Sequence, residues 1–540
     1  MRVSLISLLF YENFAMRLLF AHLRNNSIPV SYIGFKRMKH KLTKTLKNEF
    51  IEMNDFFTEV TQADLDVLLD QLEKQKPDLI GIGLKSSQFE MARRITKAIK
   101  DRLDIPIIWG GAHPTIDPEN CIKHADMVCV GEGAEALLEL SQRIKEGKPY
   151  HDVKNIWVNC EGTIIRNEKR PLLKDLDSLA SASFDAEDKV YIDDGQLQPD
   201  RNIDYFGYGF TDDPYKTMHQ TMTAYDCPMK CSFCINSVTG RAYRRRSVEH
   251  VISELERAKK TNKRLKMVFF WDDIFQINRE WCLEFAREYK KKINLPFFTY
   301  SHPQFVDEEI SLALRHAGWI VTVMGIQSGC ERLRKELYDR DETNEQILRS
   351  VRILNSMRKA RRILPFRIYY DYVKNNPLES KEDLKTSIDL FLKFPKNFIF
   401  QAFNLSFFPN YKLTKVYLEK GLIKEGDIEG NMGGDASTSG DRWITTFDSK
   451  KKYKGFLRSH EYYYLLFSLS QFRLFPNAWI RKIEEKKLFN NRLWVLYWLC
   501  KIVRFVDLYT NPFNYIWILG IFTMVSFRSK FKHGSLFRHK

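Results

Sequence analysis

Residues 105–133 read IPIIWGGAHPTIDPENCIKHADMVCVGEG, in which two short apolar runs, IPIIW and MVCV, each stop at glycine. Runs of this length, bounded by turn residues and rich in β-branched and aromatic side chains, suit buried strands. Upstream the same runs alternate with helical stretches: DLIGIGL (78–84) before a helix from Met91, a helix from Ala63, IPVSYIGF (28–35), a helix through Met16 to Leu23, and RVSLISLLF (2–10). After MVCVGEG the chain enters ALLELSQRI. Strands alternating with helices of this length predict an α/β, doubly wound, Rossmann-like parallel sheet over residues 1–148, with ligands at the carboxyl ends of its strands.

Three of those strand ends carry small or polar residues: Lys85-Ser86-Ser87, Gly110-Gly111-Ala112-His113-Pro114 and Gly131-Glu132-Gly133. Any one alone is an ordinary strand-to-helix turn, which favours Gly and Ser for its backbone geometry. Three on one sheet edge favour a ligand.

Residues 149–215 are less regular and read as a linker with a small hairpin. A second series occupies 216–424. It runs TMTAYDC, a helix from Val248, KMVFFWDD, a helix from Arg279, PFFTYSH, a helix from Glu308, IVTVMGIQSG, a helix from Asn344, FRIYYDYV, a helix from Ser380, and NFIFQAFNLSFFP. Six repeats are too few for an eight-stranded barrel but suit a partial (β/α)6 barrel with its active site at the strand C-termini. A Gly/Ser/Asp stretch over 425–442 marks a flexible junction, and 443–540 is aromatic, basic and mainly helical.

The 540 residues carry 85 Lys+Arg against 68 Asp+Glu, a net +17 that attracts phosphate-bearing cofactors, nucleic acid or an acidic membrane surface without choosing among them. Nine cysteines without the paired spacing of a secreted scaffold predict a reducing, cytoplasmic setting. The start lacks a charged n-region, a long h-region and a small-residue cleavage site, so it reads as the first strand rather than a signal peptide.

Chemistry concentrates in CPMKCSFC. Cys227, Cys231 and Cys234 follow a strand at i, i+4 and i+7, so three thiolates converge on one face of an iron-sulfur cubane. Such clusters usually take four cysteines, and three leave one iron open to chelate a small molecule. Zinc is a poor match, since no fourth cysteine lies near.

YDCPMKCSFC resembles the signature of the radical S-adenosylmethionine superfamily, with Phe233 in the aromatic slot beside the adenine. The resemblance implies a [4Fe-4S] cluster, S-adenosyl-L-methionine on its open iron, and one-electron cleavage to a 5'-deoxyadenosyl radical. Further positions follow in the family's order: Asp272-Asp273 ending the second strand, Gly325-Ile326-Gln327-Ser328-Gly329 ending the fourth, the downstream Arg340, then Asp371, Asn376 and Pro377, and Phe407-Phe408-Pro409. It assigns Phe233, Asp273, Gln327, Ser328, Arg340 and Asp371 to S-adenosylmethionine. The run Arg241, Arg244, Arg245, Arg246, Ser247 resembles the family's R-x-R-S, and reads as a solvated or cofactor-facing basic turn rather than a nucleic-acid patch.

The preceding domain resembles the cobalamin-binding domain of one branch of these enzymes, through GLKSSQF, IIWGGAHPTIDPE and VCVGEGAEALLEL. Ser86, Ser87, Gly110, Gly111, His113, Gly131, Glu132 and Gly133 are its expected cobalamin contacts. The Asp-x-His-x-x-Gly loop that often brings histidine to cobalt is missing, and His113 lies in the wrong loop to replace it by simple analogy. Cobalamin would then bind with its own base displaced.

The resemblance implies an enzyme that methylates an unactivated carbon of a hydrophobic substrate (lipid, isoprenoid or tetrapyrrole) and takes electrons from a donor such as flavodoxin or ferredoxin. A cyclase or oxygenase of the same superfamily is the alternative. A tRNA methylthiotransferase would need extra amino-terminal cluster cysteines, and only Cys121 and Cys129 precede Cys160. A non-catalytic cobalamin-binding protein conflicts with the intact triad. The apolar run Tyr515–Phe527 is 13 residues, short of a membrane span, and the basic residues after it fit either peripheral contact with an anionic membrane or a helical cap over the barrel.

Overall fold

A computed structural model describes residues 1–9, 13–36, 39–40, 56–57, 59–183, 187–198, 218–240, 242–263, 265–360, 364–432 and 455–510. Arg241, most of the expected 425–442 junction and the basic tail beyond residue 510 lie outside the described residues. The chain divides into two compact units: Met1–Asp273 with Leu337–Arg340 and Asn404–Thr446, and Ile274–Glu336 with Asp341–Phe403 and Phe447–Lys540.

The first unit is built on a nine-stranded sheet of β1 (Val3–Leu8), β2 (Val30–Phe35), β3 (Leu79–Gly83), β4 (Ile107–Gly110), β5 (Met127–Cys129), β6 (Ile156–Cys160), β7 (Thr163–Arg166), β8 (Lys189–Asp193) and β9 (Gln196–Gln198). Their spatial order is β9-β8-β2-β1-β3-β4-β5-β6-β7. The centre, 2-1-3-4-5, is parallel and is one of the orders of doubly wound folds. The 149–215 stretch supplies the edges. One hairpin, β6–β7, pairs antiparallel to β5, and another, β8–β9, lies parallel to β2 through β8.

Every residue of β1 is buried, and successive side chains enter opposite layers. Ile6 and Leu8 pack with Leu68, Leu72, Ile95 and Ile99 of the helices Gln62–Gln75 and Phe89–Arg102. Val3 and Leu5 pack with Phe20, Leu23, Leu137 and Leu140 of Phe14–Asn25 and Ala134–Lys145. Burial on both faces explains why β1 reads as a continuous apolar run rather than an alternating one.

In the same unit β10 (Met218–Thr221) runs parallel to β13 (Met267–Phe270), and β11 (Ala224–Tyr225) pairs with β12 (Arg244–Arg245). The second unit holds β14 (Phe297–Ser301), β15 (Trp319–Gln327), β16 (Arg367–Lys374) and β17 (Ile399–Asn404) in that spatial order. Helices Arg279–Lys292, Glu308–Ala317, Asn344–Ser356 and Lys381–Phe391 fall in chain order between or beside these strands, and the helices Gly455–Ser470, Asn477–Glu485 and Leu493–Thr510 close the described chain. The expected fold class is thus present: parallel sheets layered with helices, doubly wound first and barrel-type second, then a helical carboxy-terminal region.

Candidate active site

Three strand-end loops of the nine-stranded sheet are tied together by side chains. Ser86 Oγ and His113 Nδ1 are 3.1 Å apart, joining the loops after β3 and β4. Thr115 Oγ1 donates to the Gly111 carbonyl at 2.7 Å and accepts from the Gly131 N–H at 3.1 Å, joining the loops after β4 and β5. Thr115 was not among the sequence candidates; its signal is only that it follows the GGAHP turn.

Gly111 and Gly131 have φ of +109° and +103°, which L side chains rarely adopt. A Cβ at Gly111 would stand 2.8 Å from the Leu84 carbonyl oxygen, and one at Gly131 would stand 3.0 Å from Asn155 Nδ2. Gly110 is different, because its nearest neighbour would be the Cys129 Cβ at 3.7 Å, an ordinary contact. Ser87, Gly110, Gly131, Glu132 and Gly133 are all half-buried, and Gly111 is exposed, so the three loops present a continuous backbone-rich edge.

His113 is fully buried, with its ring 4.9 Å from that of Phe89. Burial pulls its pKa to about 4, so the imidazole is neutral. Its Nε2 has no hydrogen-bond partner, a buried polar atom left for something the protein alone does not supply.

The cysteine loop follows β11. Cys227 and Cys234 are half-buried and Cys231 is buried; all three are free thiols. Ser232 fixes the loop: its N–H donates to the Tyr338 carbonyl at 3.1 Å, its hydroxyl donates to the Leu337 carbonyl, and its carbonyl accepts from Leu413 N–H at 3.0 Å. Phe233 meets Tyr338 edge-on at 5.1 Å between ring centres, so the segment Leu337–Arg340 shares a unit with the triad, and Arg340 in it is buried.

Burial pushes Cys227 and Cys234 up to about 12, against backbone N–H groups of Met229 for Cys227 and of Asn236 and Ile235 for Cys234. Each thiol also lies within electrostatic reach of Cys231 and of Asp273, so the sulfurs share one locus. Among the described residues no three His, Cys, Asp or Glu side chains are set to hold a single metal ion.

The paired aspartates divide their labour. Asp272 is buried and accepts from Thr223 N–H at 2.6 Å, the Thr223 hydroxyl, Ala224 N–H at 3.3 Å and Arg245 Nη2 at 3.2 Å. It is a brace between β13 and the start of the cysteine loop. Asp273 is exposed at its tip but set among protein groups; desolvation, with the charges of Asp272 and Asp226, raises its carboxyl to about 6.

The arginine run is not a solvated turn. Arg244 Nη2 reaches Glu132 Oε1 at 2.5 Å and Asp226 Oδ2 at 2.6 Å, and its Nη1 donates to the Leu173 carbonyl at 2.7 Å. Arg245 meets Asp272, and Arg246 meets Glu254 at 2.5 Å. Both side chains are largely buried against these carboxylates.

In the second unit the β15–β16 register sets Gly325 beside Asp371 and Gln327 beside Tyr372, with a bulge between Gly325 and Gln327. Gln327 has φ +65°, and Ser328 is buried, its hydroxyl accepting from Cys330 N–H at 3.2 Å. A Cβ at Gly329 would lie 2.4 Å from Ser387 Cα, so that turn must end in glycine. Asp371 keeps Oδ1 buried without a partner, and burial raises its pKa to about 8. Gln327 thus ends β15 and Ser328 follows it, Asp371 lies within β16 opposite Gly325, and the Asp371 oxygen is a second orphaned polar atom.

Cys121 is wholly buried in the core, its thiol pushed up by desolvation, and Cys129 lies beneath Gly133. Among the described residues no helix is long and apolar enough to cross a membrane.

The B12 binding domain model matches residues 10–141, and the radical SAM superfamily model matches residues 222–366. The chain is 24% identical over 315 residues to the anaerobic magnesium-protoporphyrin IX monomethyl ester cyclase of Rubrivivax gelatinosus, covering 55% of this chain and 52% of that protein. It is 23% identical over 370 residues to the bacteriochlorophyllide d C-8(2)-methyltransferase of Chlorobaculum tepidum, covering 65% and 71%. The chain therefore spans about half the length of the cyclase. Among solved structures, the cobalamin-dependent S-adenosylmethionine radical enzyme OxsB with aqua-cobalamin bound superposes with a TM-score of 0.61 at 15% identity, covering 98% of this chain and 76% of that one. The methyltransferase TsrM from Kitasatospora setae, with cobalamin and a [4Fe-4S] cluster bound, gives 0.59 at 17% identity, covering 77% and 78%. These two likenesses establish the fold.

Proposed function

Because this chain joins a B12 binding domain to a domain of the radical SAM superfamily, we propose that it is a cobalamin-dependent radical S-adenosylmethionine enzyme that methylates an unactivated carbon of a hydrophobic small molecule. The observation that carries the reading is Arg244, which joins the third strand-end loop of the sheet to the residue preceding the first cysteine. When bound, the cluster, S-adenosylmethionine and cobalamin supply one-electron cleavage of a sulfonium and a transferable methyl group.

Cys227, Cys231 and Cys234 would hold the cluster, with backbone N–H groups around two of the sulfurs to stabilise thiolate charge. Phe233 offers an aromatic face for adenine, and Asp273, Gln327, Ser328, Arg340 and Asp371 offer polar groups for the rest of S-adenosylmethionine. Asp371 suits a donor that satisfies its orphaned oxygen. Ser86, Ser87, Gly110, Gly111, His113, Gly131, Glu132 and Gly133 would line the cobalamin edge, where glycines let backbone approach a large planar ligand closely. A one-electron reductant such as flavodoxin or ferredoxin is the expected partner.

The test is anaerobic reconstitution with iron and sulfide, then cobalamin, S-adenosylmethionine and reductant, followed by assay for 5'-deoxyadenosine and S-adenosylhomocysteine. Both products support methyl transfer, and neither overturns the catalytic reading. The similarity to the protoporphyrin ester cyclase favours a second reading, a cyclase without methyl transfer, which yields deoxyadenosine alone.

A further inference from the structure

We propose that the helix Leu493–Thr510 seats the protein on an anionic lipid bilayer through the stripe Trp494, Trp498, Ile502 and Val506. The proposal concerns a surface apart from the catalytic machinery and does not rest on the reaction assigned above. The four residues recur at every fourth position, which places them along one side of the helix over about 18 Å. Trp494, Trp498, Ile502 and Val506 are 56%, 55%, 58% and 41% exposed.

The opposite side is occupied. Leu493, Leu496 and Cys500 are buried, and the Cys500 thiol lies 3.4 Å from the Leu465 carbonyl on the helix Gly455–Ser470. One face holds the helix to the protein, and the other presents large apolar side chains to solvent. Single exposed apolar residues are ordinary, whereas a continuous row with two tryptophans marks a docking face.

Charge selects the occupant. From residue 492 to the end the sequence has eight Lys and Arg, including Arg492, Lys501 and Arg504, and a single acid, Asp507. Asp507 is buried, so it does not offset the cations at the surface. A second copy of this helix would bring like charges together. Residues 511–540 carry five Lys and Arg and no acid, so the same repulsion opposes their covering the stripe.

Anionic headgroups complement the cations, and tryptophan is the side chain best suited to the boundary between headgroup and acyl chain. Among the described residues no helix can span a bilayer, which leaves a helix lying in the interface plane.

The experiment uses the full chain with vesicles of phosphatidylcholine, alone or with about one third phosphatidylglycerol. The protein should co-sediment with the anionic vesicles, bind the neutral ones weakly, and release as salt rises. Trp494→Ser with Trp498→Ser should weaken binding about tenfold or more, while leaving the thermal melt unchanged because both positions are exposed. Brominated acyl chains should quench wild-type tryptophan emission. In Trp494→Phe with Trp498→Phe, which keeps the stripe apolar, binding should persist and that quench should fall. Absence of binding to anionic vesicles overturns the proposal, as does binding that the serine variant leaves intact. A dimer that the serine variant dissociates would assign the stripe to a second copy and overturn it equally.

Discussion

Arg244 and Glu132, 112 positions apart in the chain, are joined at 2.5 Å, and the same guanidinium nitrogen lies 2.6 Å from Asp226. Glu132 sits between the two glycines that end β5, and Asp226 immediately precedes Cys227, with φ +63°. One planar cation therefore holds the cobalamin-type loop and the cysteine loop in a common frame, and it is itself mostly buried.

Removing that cation leaves two carboxylates facing each other in a poorly solvated place, which costs about 3–5 kcal/mol for a buried pair. Arg244→Ala should lower the iron and sulfide retained on reconstitution and cut deoxyadenosine formation at least tenfold. Arg244→Lys should fall between, because an ammonium cannot span both acceptors and Leu173 in a planar fork. Full iron content and wild-type turnover in Arg244→Ala would show that the bridge plays no part in positioning the loop.

The glycines give a matched comparison on one turn. Gly111→Ala forces a Cβ against the Leu84 carbonyl at a positive φ, a strain of about 1–3 kcal/mol, and should lower the melting temperature and weaken cobalamin binding. Gly110→Ala meets only an ordinary contact and should leave stability unchanged. Calorimetry with hydroxocobalamin titration separates the two.

The strands and the triad were legible because both are local patterns. β1 to β5 announce themselves as short apolar runs, the last three stopping at or beside Gly83, Gly110 and Gly131, and CPMKCSFC states its own spacing. What was not legible depends on partners far apart in sequence. The charge run at Arg244–Arg246 looks solvated until its partners are known: Asp226 for Arg244, Asp272 for Arg245 and Glu254 for Arg246. The resemblance named Asp273 rather than Asp272, but what Asp272 does depends on distant partners: it is consumed by Thr223 and Arg245, while Asp273 remains at the surface. The 149–215 stretch reads as a linker with one small hairpin, whereas it holds two, β6–β7 and β8–β9, whose places at the sheet edges were not legible because edge strands are short and only partly apolar.

Cys231 is the most buried of the three cysteines, and alanine removes only its sulfur without adding volume. Cys231→Ala should therefore fold with a normal circular dichroism spectrum while losing cluster absorbance and all deoxyadenosine. Retained deoxyadenosine formation would show that the triad is not the cluster site.

Asp371 combines an orphaned oxygen with a carboxyl raised by burial to about 8. A folded value above the unfolded one of about 3.9 means the folded state holds its proton longer, so stability from this group is full below that pH and declines as pH rises toward 8. Asp371→Asn mimics the protonated acid and cannot ionise. Its melting temperature should match wild type below about pH 3.9 and exceed it by a margin that grows as pH rises toward 8, while S-adenosylmethionine binding weakens. Parallel melting curves for the two proteins across this range would show that Asp371 is not the group that titrates.

Lys36 presents the opposite arrangement in the first unit, a buried cation with Nζ 2.9 Å from both Asp64 and Asp193. Burial alone would raise Asp64 and lower Lys36, but hydrogen bonds outweigh it. Lys36, Gly195 and Thr61 hold the Asp64 carboxyl below its ordinary value, and the two aspartates hold Lys36 above its own. Asp64 therefore stabilises the fold at all pH above about 3.9, and that contribution is lost as pH falls through its lower folded value. Lys36 contributes below about 10.4 and loses its contribution as pH rises through its higher folded value. Asp64→Asn leaves Lys36 still paired with Asp193, so it should cost about 1.5–3 kcal/mol at neutral pH through the lost charge-assisted hydrogen bonds, and should flatten the acid limb of the stability profile. Asp64→Asn with Asp193→Asn strands the buried ammonium and should cost about 3–5 kcal/mol, and adding Lys36→Met should recover most of that loss, since no buried charge then remains. Urea unfolding against pH distinguishes the single from the triple variant, and an acid limb unchanged in Asp64→Asn would place the titrating group elsewhere.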